Sequence, residues 1–357
     1  MPGASDLSFV ISADYARSTG GWIYAQRLLQ GLAQHGWQIR RTTLPAGFPQ
    51  PSPQARQRSA AAFAAFADGA VVLVDQLCLG VLPEVARAEG RRLRLVMLVH
   101  HPLDLEGYRT AGERRRFASM EREALQHVAG VITTSPSTAR TLTADYGVRG
   151  ERIVVAAPGV DRQPLARGSG GPVLNLISVG AVVPRKNHGL LIRALADLRR
   201  LPWQLTIVGN LARATDHVSA LRGMIATCGL SARIRLAGEL PGNALAQLWS
   251  GADLYVSASR HEGYGMALAE AFAHGVPLVT TGAGAAGAWI GRRGARIVRD
   301  DGGVAPLRAA LRQVIGTPAL RVALRRGAMS RRRTMPSWEA TAAAVNGRLK
   351  QLVEQRS

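Results

Sequence analysis

The sequence predicts an α/β protein made of two doubly wound domains. Three observations carry the prediction. A length of 357 residues exceeds one ordinary core and suits two domains of roughly 150–180 residues each. Short, nearly continuous apolar runs recur along the chain, as in parallel strands buried on both faces. Helical segments separate these runs, on both sides of a Gly/Ser-rich break. A hydrophobic content of 47% is enough to build two cores.

In chain order, Leu7–Ser12 is an apolar run of strand length. Gly20 and Gly21 open a helix whose apolar positions Ile23, Leu28, Leu29 and Leu32 recur at helical spacing up to Gly36. Gln38–Thr42 reads as a second strand, and the proline-rich stretch from Pro45 to Pro53 as a surface loop. Val71–Asp75, Leu93–Val99 and Gly130–Ser135 are strands of the buried parallel type. Ile153–Asp161 then leads to Gly168-Ser-Gly-Gly171, the best linker candidate. Strands resume at Val173–Val179, Gln204–Val208, Ile234–Ala237 and Leu254–Ser257. A helix over Met266–His274, stopped by Gly275, precedes a strand-like Pro277–Thr281. The expected domains are 1–166 and 167–336, with a closing segment over 337–357.

The charge balance is strongly basic: 45 Lys and Arg against 24 Asp and Glu give +21. Arginines cluster at 114–116, 199–200, 292–293, 325–326 and 331–333. Such a balance suits nucleic acid or an anionic membrane surface. Aromatic residues are only 5% of the chain and are not interleaved with the arginines, so no stacking platform for single strands is expected. No zinc-finger or RNP-like spacing occurs, and specific nucleic-acid binding is not expected. A solvated basic surface and a seat on an anionic membrane both remain open. Cys78 and Cys228 fall in different expected domains, which disfavours a disulfide, and no Cys/His cluster has metal-ligand spacing. No secretory signal and no apolar window of about 18–20 residues is visible. The expected location is cytoplasmic, with peripheral attachment on the inner face of the membrane as the basic option.

The densest chemistry lies in Arg260-His-Glu-Gly-Tyr-Gly-Met-Ala-Leu-Ala-Glu270. Glu262 and Glu270 stand eight positions apart across a glycine-bearing turn that runs into a helix. Gly263 and Gly265 let the backbone approach a ligand, and the helix start behind them offers free N–H groups and a positive dipole end. Carboxylates there suit hydroxyl groups beside a phosphate held by the amides. A polyhydroxylated, phosphorylated ligand is the first expectation.

Ligands of open α/β sheets bind at the carboxyl ends of strands. After the Val179 strand come Arg185 and Lys186, cations able to neutralise a departing diphosphate. Lys186 is one of only two lysines in the chain, so a compact point charge is suggested where arginine is the usual choice. Gly20-Gly21 follows the first strand and fits either a phosphate loop or an ordinary turn. His100 and His101 follow the Val99 strand, where proton handling, a hydrogen bond to a ligand and a purely structural role all fit. Gly238-Glu239-Leu240 follows the Ile234 strand.

The Glu-x-Gly-x-Gly-x-x-x-Glu pattern from Glu262 to Glu270 resembles the signature of family 4 glycosyltransferases, retaining enzymes of the GT-B fold. Ser135, Pro158-Gly-Val-Asp161, Val208-Gly209 and Ser337-Trp-Glu339 extend the resemblance over essentially the whole chain. It implies two Rossmann-like domains facing a central cleft, the first on the acceptor side and the second binding the nucleotide sugar. A helix from about Ser337 would cross back to the first domain. The activity implied is transfer of a hexosyl-type unit from a UDP- or GDP-linked sugar to a hydroxyl acceptor, with retention.

The resemblance also assigns roles. Glu262 meets the sugar hydroxyls and Glu270 the ribose. Gly263, Tyr264, Gly265 and Met266 complete the donor loop, while Glu239 and Leu240 flank the base. Gly20 and Gly21 face the diphosphate, and His100 meets the donor sugar. His101 and Glu106 lie on the acceptor side. The family's Arg immediately after the strand is replaced here by Ala181, and Arg185 takes its place beside Lys186. No Asp-x-Asp triplet occurs, so no metal or other cofactor is expected. A nucleotide-sugar epimerase or hydrolase of the same fold, and a non-catalytic basic binding protein, are the competing readings.

Overall fold

The structure, a computed structural model, describes residues 5–14, 19–105, 110–299 and 302–354. The chain forms two compact units, residues 1–159 with 336–357, and residues 160–335.

The first unit holds a six-stranded parallel sheet: β1 (Ser5–Ser12), β2 (Trp37–Leu44), β3 (Val71–Asp75), β4 (Arg94–Val99), β5 (Gly130–Thr133) and β6 (Ile153–Val155). Their spatial order is β2-β1-β3-β4-β5-β6, so the direction of winding reverses between β1 and β3. Every residue of β3 is buried, which is why its sequence shows no polar alternation. The helix Gly20–Gln34 buries Tyr24, Ala25, Leu28, Leu29 and Leu32. Ile23, expected on that stripe, is instead 44% exposed, because Tyr24 and Ala25 occupy the inward arc at this turn.

The closing helix, Trp338–Glu354, packs on Gly20–Gln34. The two backbones approach so closely at Gly31 that a Cβ there would sit 2.4 Å from that of Ala342. Hydrogen bonds pin the same helix elsewhere: Trp37 Nε1 donates to Asn346 Oδ1 at 2.9 Å, and Thr341 Oγ1 to the Ala157 carbonyl at 2.6 Å.

The second unit repeats the architecture with β7 (Leu174–Val179), β8 (Trp203–Val208), β9 (Ile234–Gly238), β10 (Leu254–Ser257), β11 (Leu278–Thr280) and β12 (Ala295–Ile297). The order is β12-β11-β10-β7-β8-β9, all parallel, and the reversal falls between β7 and β10. Successive residues point to opposite faces. Leu176, Leu254, Val256 and Val279 enter one core, while Ile177, Tyr255 and Leu278 enter the other. Both faces are apolar, hence the continuous runs. Together the two doubly wound sheets are the pair of Rossmann-like units expected from the strand–helix alternation.

The division between units falls after Gly159, ahead of the Gly168–Gly171 stretch read as linker. Packing explains it. Ala166 is buried in the second unit and donates its N–H to the His274 carbonyl. His274 Nδ1 reaches the Pro164 carbonyl at 2.9 Å, and Arg332 donates to that of Gln163. Ser169 is tied down by Asp253.

Many arginines are structural. Arg92 donates to the carbonyls of Phe63, Ala64 and Phe66 at the end of one helix, and Arg321 to those of Val314 and Ile315 at the end of another. These are the orphan acceptors of helix C-termini. No helix among the described residues is long and apolar enough to cross a membrane.

Candidate functional site

The reversal between β7 and β10 makes a crevice at the carboxyl edge of the second sheet, and both adjoining loops carry charge. After β7, Pro184–Lys186 forms a single 3-10 turn, and Asn187 adopts a left-handed conformation (φ 52°) before the helix His188–Ala196. After β10 comes the segment 258–265. Two backbone-level links join the loops: Arg260 N–H donates to the Arg185 carbonyl at 2.9 Å, and Arg185 Nη1 to the His261 carbonyl at 2.6 Å.

Glu262 sits between the cations. Lys186 Nζ lies 2.6 Å from its Oε1 and Arg185 Nη1 lies 3.6 Å from its Oε2. Only 7% of Glu262 is exposed. Burial alone would raise its carboxyl, but Lys186, Arg185 and a hydrogen bond from Ser259 outweigh it and hold the group at about 2. The carboxylate is therefore ionised at any working pH. Beneath it, His188 is buried, and burial together with Lys186 lowers its imidazole to about 3, leaving it neutral.

The glycine turn is rigidly backed. Gly265, at φ 90°, ends the loop in a conformation side chains rarely adopt, and the helix Met266–Ala273 starts there. Tyr264 stacks on Trp289 with ring centroids 4.9 Å apart, and Trp289 Nε1 donates to the Tyr264 carbonyl at 2.7 Å. Arg331 lies over the Trp289 ring, 5.8 Å from its centroid, and donates to the Trp289 carbonyl. The Glu262 carbonyl accepts from Ala285 N–H at 2.9 Å.

Glu270 occupies the same helix and differs sharply from Glu262. With no cation among the described residues against it, burial raises its carboxyl to about 7, and the nearby Trp249 indole opposes the rise only in part. Trp249 is itself buried and stacks with His274 at 5.1 Å and with Tyr255 at 5.8 Å, and among the described residues its Nε1 has no hydrogen-bond partner of normal geometry. One carboxylate of the pair is thus fixed as an anion, and the other is poised between its two states.

The structure gathers Arg185, Lys186, Glu262, Gly263, Tyr264, Gly265, Met266 and Glu270 at one sheet edge. Glu239 and Leu240 follow β9, two strands from β7, and Glu239 accepts from Asn210 Nδ2 at 3.1 Å.

Gly20, Gly21, His100 and His101 belong to the first unit. Gly20 and Gly21 are the first residues of their helix, capped by Thr19 Oγ1, which accepts from Trp22 N–H at 3.2 Å. His100 follows β4, with its Nε2 3.6 Å from Asp75 Oδ2 and its ring edge-on to Tyr24 at 5.5 Å. His101 is half-buried beside it. Glu106 lies outside the described residues. Sequence reasoning passed over Asp75, Ser259, His188 and Trp289. None stands in a local pattern: Asp75 and Trp289 meet His100 and Tyr264 from far along the chain, Ser259 bonds Glu262 within the turn itself, and His188 is marked only by its burial beside Lys186.

Comparison with known proteins places a family on each half of the chain. The profile described as "Glycosyl transferases group 1" matches residues 166–331, and that described as "Glycosyltransferase Family 4" matches residues 18–163. An MMP α-(1→4)-mannosyltransferase from Mycolicibacterium hassiacum is 29% identical over 85% of this chain and 75% of its own length. The matched stretch is 60% and 55% of the length of two further curated relatives. Among solved structures, sucrose-phosphate synthase from Thermosynechococcus elongatus superposes with a TM-score of 0.81 at 19% identity, over 99% of this chain and 100% of the other. Anabaena HepE, solved in complex with UDP and glucose, gives 0.74 at 18% identity, over 97% of this chain and all of its own. Both likenesses are of fold, and the fold is GT-B. With one family profile on each half of the chain and the signature carboxylates at the edge of the second sheet, the protein belongs to the family 4 glycosyltransferases.

Proposed function

We propose that the protein transfers a hexosyl-type unit from a nucleoside-diphosphate sugar to a hydroxyl acceptor, with retention at the anomeric carbon and without a metal ion. The observation that carries the reading is the Lys186–Glu262–Arg185 cluster at the reversal of the second sheet. Two cations at a strand end suit the diphosphate of a departing nucleotide, whose charge grows as the glycosidic bond breaks. Glu262, kept ionised, accepts hydrogen bonds from sugar hydroxyls and orients the ring. Glu270 takes the ribose hydroxyls, and Glu239 and Leu240 flank the base.

In the proposed step the bond from the anomeric carbon to the phosphate oxygen breaks. The acceptor oxygen bonds to the same face, and its proton passes to the departing phosphate oxygen. His100 touches the donor sugar from the first unit, and Gly20 and Gly21 offer amides to the diphosphate. Glu106 and His101 belong to the acceptor side. The UDP held by the Anabaena protein supports a uridine nucleotide as the first donor to try.

The strongly basic chain supports peripheral seating on an anionic membrane, which co-sedimentation with vesicles at rising salt would test. For the main reading, the test is thermal stabilisation by a panel of nucleotides and nucleotide sugars, followed by transfer assays with the stabilising donor. Selective stabilisation by one nucleoside diphosphate, lost in Lys186→Ala, is expected. Stabilisation by any polyanion alone, abolished by salt, would favour a basic binding protein instead.

A further inference from the structure

A buried polar cluster lies directly under the strand-end turn that carries His100, and nothing in the transfer step above uses it. Asp75 ends β3 and Gln76 begins the following short helix, both shut off from solvent. The Gln76 side chain acts as a peptide group for the turn. Its Oε1 accepts from His100 N–H at 2.5 Å and from His101 N–H at 3.4 Å. Its Nε2 donates to the His101 carbonyl at 2.5 Å. The same Nε2 reaches Glu121 Oε1 at 3.4 Å, and Glu121 Oε2 accepts from Leu103 N–H at 2.9 Å.

Glu121 comes from the helix Ala111–Gln126 and is fully buried, with its carboxyl raised to about 8 by that burial. A buried carboxyl is costly, and so is a buried amide, unless each meets partners. The partners they serve are the backbone groups of residues 100, 101 and 103. Apolar side chains in their place would leave the N–H groups of those three residues without these acceptors. Beside them the Asp75 carboxylate divides its two oxygens, one accepting from Leu77 N–H at 2.8 Å and the other facing the His100 ring.

We propose that Gln76 and Glu121 are positioning residues for glycosyl transfer: together they fix the backbone of the turn 100–103, and through it the place of the His100 imidazole. The role rests on the proposed function, since it acts through His100. Sub-ångström placement of a group that meets the reacting sugar is worth large factors in rate, so loosening the turn lowers turnover without touching the nucleotide site of the second unit.

The experiment is a double-mutant cycle on the full-length protein, with kcat, donor KM and nucleotide affinity measured for each variant. Gln76→Ala is expected to lower kcat by about 10- to 100-fold with nucleotide affinity unchanged. In a His100→Ala background the same change should cost less than about 2-fold, because both act through one side chain. Glu121→Gln, which keeps shape and an acceptor, should recover most of what Glu121→Ala loses. Multiplicative losses in the cycle, or a kcat unmoved by Gln76→Ala, would overturn the positioning role while leaving the transferase intact. A folded wild type that transfers sugar from no donor would overturn the functional reading and this role with it.

Discussion

Lys186 Nζ lies 2.6 Å from Glu262 Oε1, and the two side chains arrive from loops 76 residues apart in sequence. The pair couples stability to chemistry at one point. Lys186 neutralises a carboxylate that burial would otherwise disfavour, and in the proposed reaction the same ammonium faces the diphosphate. Lys186→Ala should therefore do two things. It should lower turnover, and it should destabilise the second unit by about 3–5 kcal/mol, the usual result of leaving a buried charge without its main partner. Adding Glu262→Gln should restore the melting temperature and leave turnover low. Full recovery of activity in the double variant would remove Lys186 from the chemistry.

The pH dependence of the pair of carboxylates should be opposite. Glu262 is held below its unfolded value, so its contribution to stability is present above pH about 4.5 and is lost as pH falls toward 2. Glu270 is raised to about 7, so the folded state prefers its protonated form. Its burial becomes a growing cost as pH rises from about 4.5 to 7, and levels off above. Glu270→Gln should thus melt at the same temperature as wild type near pH 4.5 and a few degrees higher at pH 8, as roughly 1 kcal/mol or more of charge burial is relieved. Nucleotide binding should behave in the reverse sense. If the carboxylate accepts from ribose hydroxyls, wild-type affinity rises between pH 6 and 8, whereas that of Glu270→Gln is low and flat. Calorimetry at the two pH values reads both.

Trp289 offers a test of how the glycine turn is held. Its indole stacks on Tyr264 and donates to that residue's carbonyl. Trp289→Phe keeps a ring for the stack and loses the hydrogen bond, which should cost about 1 kcal/mol of stability. Nucleotide affinity should fall by up to about fivefold, since a looser turn must be ordered on binding. Trp289→Ala should cost more on both counts. A nucleotide affinity unchanged in Trp289→Ala would show that the turn keeps its shape without the stack.

These relationships also mark what the sequence could and could not convey. Runs such as Val71–Asp75 and Leu254–Ser257 announce themselves because strands buried on both faces contain little else. β12 does not, since Ala295-Arg-Ile297 is too short and mixed to stand out, and its strand character comes from pairing with β11. Ile23 follows the helical period yet faces solvent, because period alone does not say which arc of a helix turns inward. The division between the units falls ahead of the Gly/Ser stretch for a related reason. Gly/Ser composition reports local freedom, whereas residues 160–166 are claimed by His274, Arg325 and Arg332 from far along the chain. The carboxylates of the site were legible because their spacing is local to one turn and helix. Their partners were not. Nothing near Gln76 or Glu121 in sequence hints that the two meet under His100.

The source of positive charge at the diphosphate gives the last prediction. Enzymes that move phosphorylated leaving groups commonly place a divalent cation between carboxylates to take up the developing charge. Here the carboxylate at the crevice, Glu262, is already matched by Lys186 and Arg185, with both cations less than one-fifth exposed. Bringing a divalent ion to Glu262 would mean displacing an ammonium at 2.6 Å and setting two positive groups against the ion in a poorly hydrated site. Turnover should accordingly be the same, within about twofold, in excess EDTA and in millimolar Mg2+ or Mn2+. Lys186→Ala provides the internal control. If removing the ammonium uncovers a rate that rises with added Mn2+, the lysine and the metal are interchangeable sources of the same charge. Loss of wild-type activity in EDTA, restored by a divalent ion, would instead place a metal at the diphosphate and reduce Lys186 to the partner of Glu262.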